Sequence, residues 1–299
     1  MGSGHTHGHA GARHRWRLAV TFGMVATFFV VELVAGLVTG SLALLSDAGH
    51  MAADVVALGA ALLATAIATR PDRTGRRTYG SYRAEVLASG FTVLVMLGVA
   101  TYILVEAWTR RGEPVEVQAG PMLVVGSLGL VVNLVSLVLL RAGAQESLNV
   151  KGAYLEVVAD ALGSVGVLVA GALVLATGQA GWDAALAVGI ALFVAVRAAA
   201  LGREVLAVLG QHAPAGLDID AVARDLEAVP GVSDLHDLHV WTLTSGMDVA
   251  TAHLVVDGKP AADDVLARAQ QVLQEVHGIS HATLQVEVDP STECHRATW

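Results

Sequence analysis

Six long apolar runs, roughly residues 16–38, 41–68, 84–108, 120–140, 150–177 and 182–207, alternate with short polar stretches up to about residue 210. Each is near or above the length of about 20 residues that carries a helix across a hydrocarbon core about 30 Å thick. The pattern predicts six membrane-spanning helices. After residue 210 the periodicity becomes that of a small water-facing domain. Ile219, Val222, Ala223, Leu226 and Val229 recur at helical spacing, and Pro230-Gly231 ends the run. Residues 234–244 and 248–256 alternate as strands around Ser245-Gly246. Val265, Leu266, Ala269, Val272, Leu273 and Val276 mark a second helix, and residues 281–288 a third strand. The expected order is α-β-β-α-β, with the helices on one face of a small antiparallel sheet. The fold class is thus an all-α six-helix transmembrane domain followed by a small α+β domain.

Two runs carry charges where hydrocarbon should tolerate few. His50 and Asp54 are four apart in the second run, and Glu156 and Asp160 are four apart in the fifth. That spacing puts each pair on one helix face. An ionisable side chain at mid-membrane costs about 2.5–3.5 kcal/mol on insertion scales, so such groups face the bundle interior and mark function. At about 1.5 Å per residue, Asp54 lies about 20 Å in from Ser41 and Asp160 about 15 Å in from Val150. Antiparallel runs then bring both pairs near the bilayer centre. One imidazole and three carboxylates suit a tetrahedral divalent metal. Asp47, three before His50, is placed to hydrogen-bond the imidazole from behind. Glu32, Glu85, Glu106 and Asn133 read as bundle-facing or interfacial polar contacts, and the glycines near runs two and five as close helix packing.

Basic residues orient the chain. Arg13, Arg15 and Arg17 precede the first run; Arg70, Arg73, Arg76, Arg77 and Arg83 lie between runs two and three; Arg141 and Lys151 lie between four and five; Arg203 is at the end of run six. The opposite loops hold Arg110 and Arg111. Excess Lys/Arg marks the cytoplasmic side, so both termini are expected there, in a multi-pass protein of the cell (plasma or inner) membrane. The start of the chain does not read as a cleavable signal.

Composition narrows the class further. The chain has 299 residues, of which 54% are hydrophobic and 15% charged, and its mean hydropathy is +0.60. A net charge of -9 argues against a nucleic-acid partner. A single cysteine, Cys294, excludes an internal disulfide framework. Residues 1–15, with His5, His7, His9 and His14, are expected to form a disordered tail able to capture metal weakly. Transport is then assigned to 16–210, regulation and dimerisation to 211–290, and a tail to 291–299. In the last domain His236, His253, Glu287 and Asp289 could converge on a second metal, with Cys294-His295 within reach on the tail. Strand parity puts His236 and Leu238 on one face and Asp237, His239 and Trp241 on the other.

Four stretches then resemble one family. Ser41-Leu42-Ala43-Leu44-Leu45-Ser46-Asp47-Ala48-Gly49-His50-Met51-Ala52-Ala53-Asp54 resembles the second-span signature of the cation diffusion facilitators. Tyr79-Gly80-Ser81-Tyr82-Arg83-Ala84-Glu85 resembles their entry to span three, and residues 152–164 their fifth span. Residues 234–243 resemble their C-terminal domain. The resemblance runs from about residue 16 to 290. It implies a homodimeric, proton-driven exporter of divalent cations, mostly zinc, in contact with membrane lipid, with six spans and a cytoplasmic metallochaperone-like domain. It implies no enzyme activity and a transport site of His50, Asp54, Asp160 and the residue at 156. Glu156 stands where members usually carry His. The loop between spans two and three, residues 76–82, holds no His, and the family's His-rich loop between spans four and five is missing, with the N-terminal His tail in its stead.

Oxygen in place of nitrogen at 156 hardens the site towards manganese or iron, while His50 keeps zinc favoured, with cadmium and cobalt next. Two other classes fit the chain less well. An intramembrane metal hydrolase needs an open coordination position and a general base beside the metal; no His-Glu-x-x-His occurs, and Asp47 is the spare carboxylate within a turn of His50. A membrane metal sensor needs an output module, and nothing resembling one follows residue 290.

Overall fold

The computed structural model describes residues 9–68, 76–110, 117–144, 148–244, 246–256 and 262–288. They divide into two compact units, one drawn from Met1–Gly59 and Phe91–Ala200, the other from Ala60–Gly90 and Leu201–Trp299.

The six apolar runs form six helices: α1 (His9–Thr39), α2 (Leu42–Ala68), α3 (Arg83–Thr109), α4 (Ala119–Ala144), α5 (Leu148–Thr177) and α6 (Gly181–Leu209). Among the described residues, five of these helices are long and apolar enough to cross a membrane; α2 carries the remaining run. The expected disordered tail is corrected over residues 9–15, which are helical. Ala10, Ala12, Arg13 and Arg15 are good helix formers, and they extend a helix already nucleated by the apolar run behind them. His5 and His7 lie outside the described residues.

In the first unit α2 is the central helix. Leu42, Leu45 and Ala53 pack against Met96, Ala100, Ile103 and Ala107 of α3 and against Ala187, Ala191, Val194 and Ala198 of α6. Both partner sets recur at spacings of four, three and four, the seam of helices crossing at shallow angles. On another face Ala43 and Leu44 pack against Met122 of α4 and against Val167 and Ala170 of α5. Close approach has a price in side-chain size. A Cβ on Gly49 would come within 2.3 Å of Val99 Cγ1, and one on Gly163 within 2.9 Å of Asp47 Oδ1. Outward faces are apolar: Leu37, Val38, Leu94, Val138 and Val196 are 66–76% exposed, which suits contact with lipid chains.

The start of α2 is secured from α6. Its first-turn N–H groups have no partner inside the helix, and in hydrocarbon each must find one. Ser41 Oγ accepts from Leu44 N (3.1 Å). Asp183 accepts from Leu42 N (2.7 Å), Ala43 N (3.2 Å) and Ser41 Oγ (2.5 Å), and is 1% exposed. A buried carboxylate thus meets the positive end of the helix dipole. The helix starts of α2 and α6 are therefore level, and the two helices run the same way.

The second unit contains α7 (Ile219–Glu227), β1 (Val232–Thr244), β2 (Met247–Val256), α8 (Ala262–Glu275) and β3 (His281–Glu287), in the predicted order. Asp218 caps α7, accepting from Asp220 N and Ala221 N. Val222 and Leu226 of α7 and Val265, Ala269 and Leu273 of α8 close one core with Val240, Ala250 and Leu254 of the sheet. The expected antiparallel sheet needs correction. β1 and β2 are antiparallel, but β3 lies parallel to β2 on its far side. The reason is the connection: α8 carries the chain back along the sheet, and a strand–helix–strand crossover delivers parallel strands.

Candidate metal centre

Three of the four intramembrane residues meet at one point. His50 Nε2 lies 3.7 Å from Asp54 Oδ2 on the same helix and 3.6 Å from Asp160 Oδ1 on α5. One ligand atom from each lies within 4.8 Å of the others. Both His50 nitrogens, Asp54 Oδ2 and Asp160 Oδ1 are buried without a hydrogen-bond partner. Buried polar atoms are nearly always bonded, and each one left unbonded costs about 1–3 kcal/mol. Three of these atoms, His50 Nε2, Asp54 Oδ2 and Asp160 Oδ1, face one another and form a donor set of nitrogen and carboxylate oxygen that fits a divalent cation.

Glu156, the fourth expected residue, is a neighbour of Asp54, but its carboxylate is bound elsewhere. Glu156 Oε1 accepts from Arg197 Nη2 of α6 at 2.5 Å. Arg197 lies inside the sixth apolar run and was not singled out from sequence; a lone arginine among apolar residues was the available signal. Asp183 was missed likewise, and its signal was weaker, since it stands at a span end.

Asp47 does not hydrogen-bond the imidazole, because neither His50 nitrogen has such a partner; that expectation is corrected. Asp47 is 3% exposed and bonds instead to buried Glu32 of α1. Glu32 Oε2 is itself buried without a hydrogen-bond partner. Asn133 Nδ2 donates to Ser164 Oγ (3.2 Å), Glu106 pairs with Arg110 (2.8 Å), and Glu85 accepts from Thr244 Oγ1 (3.1 Å). These three are the packing contacts expected of them.

A second group lies on the sheet. His253 Nδ1 is 2.9 Å from Glu287 Oε1, and His236 Nε2 is 3.5 Å from Glu287 Oε2. The two imidazole centroids are 5.1 Å apart. Register explains the meeting: His236 pairs with His253 across β1 and β2, and Val255, two residues on, pairs with Glu287. The parity expectation fails at one place. Between His236 and His239 the register shifts by one residue, with Asp237 at φ 50°. Such a bulge returns the next side chain to the same face, so His236 and His239 share a face instead of opposing. Asp289, Cys294 and His295 lie outside the described residues.

A six-helix bundle with a nitrogen and carboxylate cluster at its centre, followed by a small mixed-sheet domain, defines a membrane carrier for divalent cations. The chain belongs to the cation efflux family, the cation diffusion facilitators: the Cation efflux transmembrane domain matches residues 18–209 and the Cation efflux protein, cytoplasmic domain matches residues 214–289. It is 44% identical to the metal cation efflux system protein CzcD of Cupriavidus metallidurans, over 99% of this chain and 94% of that one. It is 32% identical to the cadmium, cobalt and zinc/H(+)-K(+) antiporter of Bacillus subtilis (97% and 93% covered) and 36% identical to the zinc transporter ZitB of Escherichia coli (97% and 95% covered). A solved metal-bound C-terminal domain of the CzcD transporter from Cupriavidus metallidurans is 38% identical, covering 24% of this chain and all of that one, with a TM-score of 0.24. The protein is a multi-pass membrane transporter of divalent metal cations and not an enzyme. The hydrolase and sensor readings are not favoured.

Proposed function

We propose that this chain exports zinc, with cadmium and cobalt as further cargoes, from the cytoplasm in exchange for protons, through a site made by His50, Asp54, Asp160 and Glu156. The observation that carries this reading is the meeting of unbonded His50, Asp54 and Asp160 atoms between α2 and α5. A carrier must release what it binds, so its ligands should be protonatable and free of thiolate. Metal binds the deprotonated forms, so protons and metal compete for the same atoms. Alternate opening to the two sides then couples them. The names of the relatives support zinc, cadmium and cobalt as cargo. Residues 16–210 carry transport, residues 211–290 regulate and dimerise, and both termini face the cytoplasm. The direct test is a metal panel in proteoliposomes of the full-length protein with a pH dye inside. Zinc entering with proton exit is expected; manganese or iron moving in preference to zinc, or zinc moving with no proton, would contradict the reading.

His236, His253 and Glu287 form the second, regulatory site, which cannot move ions because it lies outside the bundle. Among the described residues the core of this domain draws on residues between 217 and 286, so residues 213–299 should fold by themselves. With zinc at 100 times its Kd, binding should stabilise that fragment by about 2.7 kcal/mol, and His236→Ala with His253→Ala should abolish the gain. Zinc binding that survives both changes would move the site towards Asp289, Cys294 and His295.

A further inference from the structure

Two side chains of α6 reach the cluster on α2 and α5. Phe193 and Arg197 are four apart and share a helix face. The Phe193 ring stands edge-on to the His50 imidazole, with centroids 6.3 Å apart, and the Arg197 guanidinium lies 5.9 Å from the Phe193 centroid. Arg197 Nη2 donates to Glu156 Oε1 at 2.5 Å. Beyond Glu156, its electrostatic partners are Asp54 and Asp160. The depths agree. The starts of α2 and α6 are tied together by Asp183, and Asp54 lies 12 residues past Leu42 while Arg197 lies 14 past Asp183. At about 1.5 Å per residue, these are about 18 Å and 21 Å.

A fixed cation beside a cation site needs a reason. Held merely as an anchor between α5 and α6, an arginine would do better away from the ion, which it repels. Counting charges supplies the reason. Glu156 gives this site a third carboxylate where two would balance a divalent metal. The guanidinium balances the third, so the loaded site, with metal, three carboxylates and Arg197, carries no net charge. A His at 156, the family's usual residue, would leave Arg197 facing the metal with no carboxylate to offset it.

We propose that Arg197 and the transported cation compete for Glu156: an ion caught by His50, Asp54 and Asp160 draws Glu156 off the guanidinium as its fourth ligand, and the guanidinium's recapture of Glu156 drives release. The inference rests on the transport site proposed above. Arg197 is a positioning residue, acting on the ion through Glu156.

The test is zinc flux in proteoliposomes of the full-length protein, read as KM and maximal rate. Arg197→Met should lower KM roughly tenfold, a common size for coupling between sites, and lower the maximal rate too, because release loses its competitor. Arg197→Lys keeps the charge without the planar fork and should fall between. Glu156→His should raise KM roughly tenfold, and adding Arg197→Met to it should then lower KM by clearly less than tenfold, because the guanidinium no longer has Glu156 to compete for. An anchor role would lower the rate without lowering KM, in the unaltered protein and in Glu156→His alike. An unchanged or raised KM in Arg197→Met, or strictly additive effects in the double variant, overturns the proposal. If Arg197→Met does not assemble, Arg197→Lys and the double variant decide it. Asp54→Ala separates the two levels: transport by that variant sinks the site itself, whereas a silent Asp54→Ala with additive Arg197 effects sinks the competition alone.

Discussion

Proteoliposomes carrying Asp160→Ala or Asp54→Ala should move zinc at least about 100-fold more slowly than the unaltered protein. A group one bond removed from a metal is already worth 10–100-fold in affinity, and these carboxylates are proposed as direct ligands. Folding should not suffer. Asp160 Oδ1 and Asp54 Oδ2 have no hydrogen-bond partner to lose, and removing a carboxylate that keeps a buried oxygen unbonded removes a desolvation cost. Thermal stability of the detergent-solubilised protein should therefore stay level or rise while flux disappears. Flux close to normal in either variant would remove that residue from the site.

Asp183→Ala should do the opposite and damage the fold first. Three donors, Leu42 N, Ala43 N and the Ser41 hydroxyl, lose a shared acceptor at a place 1% exposed. Loss of a helix cap costs about 0.5–2 kcal/mol, and each buried donor left unbonded adds about 1–3 kcal/mol. A loss on the order of 3–5 kcal/mol follows, enough to prevent assembly of many membrane proteins of ordinary stability. Asp183→Asn retains one acceptor oxygen and should recover part of it. Thermal melting followed by size-exclusion chromatography reads the order: unaltered, then Asn, then Ala. Equal melting of all three would mean that the α2 cap is not held by this carboxylate.

Much of this was legible in the chain because membrane physics leaves strong marks. Hydropathy alone locates six helices, since a span must be apolar over about 20 residues. His50 with Asp54 and Glu156 with Asp160 are visible because four residues make one helical turn and charges in hydrocarbon are rare. The pairing of the two helices followed from depth. Side-chain partners across helices were not legible. Whether Glu156 points at His50 or at Arg197 depends on how α6 is rotated against α5, and no periodicity in α6 encodes that. Asp47 illustrates the same limit, since its place three before His50 was compatible with the imidazole, yet Glu32 on α1 is its partner. In the second unit the alternation of 234–244 was a good guide to the strand and a poor guide to its faces. A bulge at Asp237 adds one residue to β1 and shifts the side chains from His239 to Thr242, and such bulges carry no strong sequence signal beyond a residue tolerant of positive φ.

The most direct measurement is anomalous scattering at the zinc edge from the full-length protein in lipid. One ion per chain in the bundle, with His50 nitrogen and carboxylate oxygens of Asp54, Asp160 and Glu156 within about 2.0–2.2 Å, is the expected result. Zinc bound at the sheet site alone, or held in the bundle without Asp160, would contradict it.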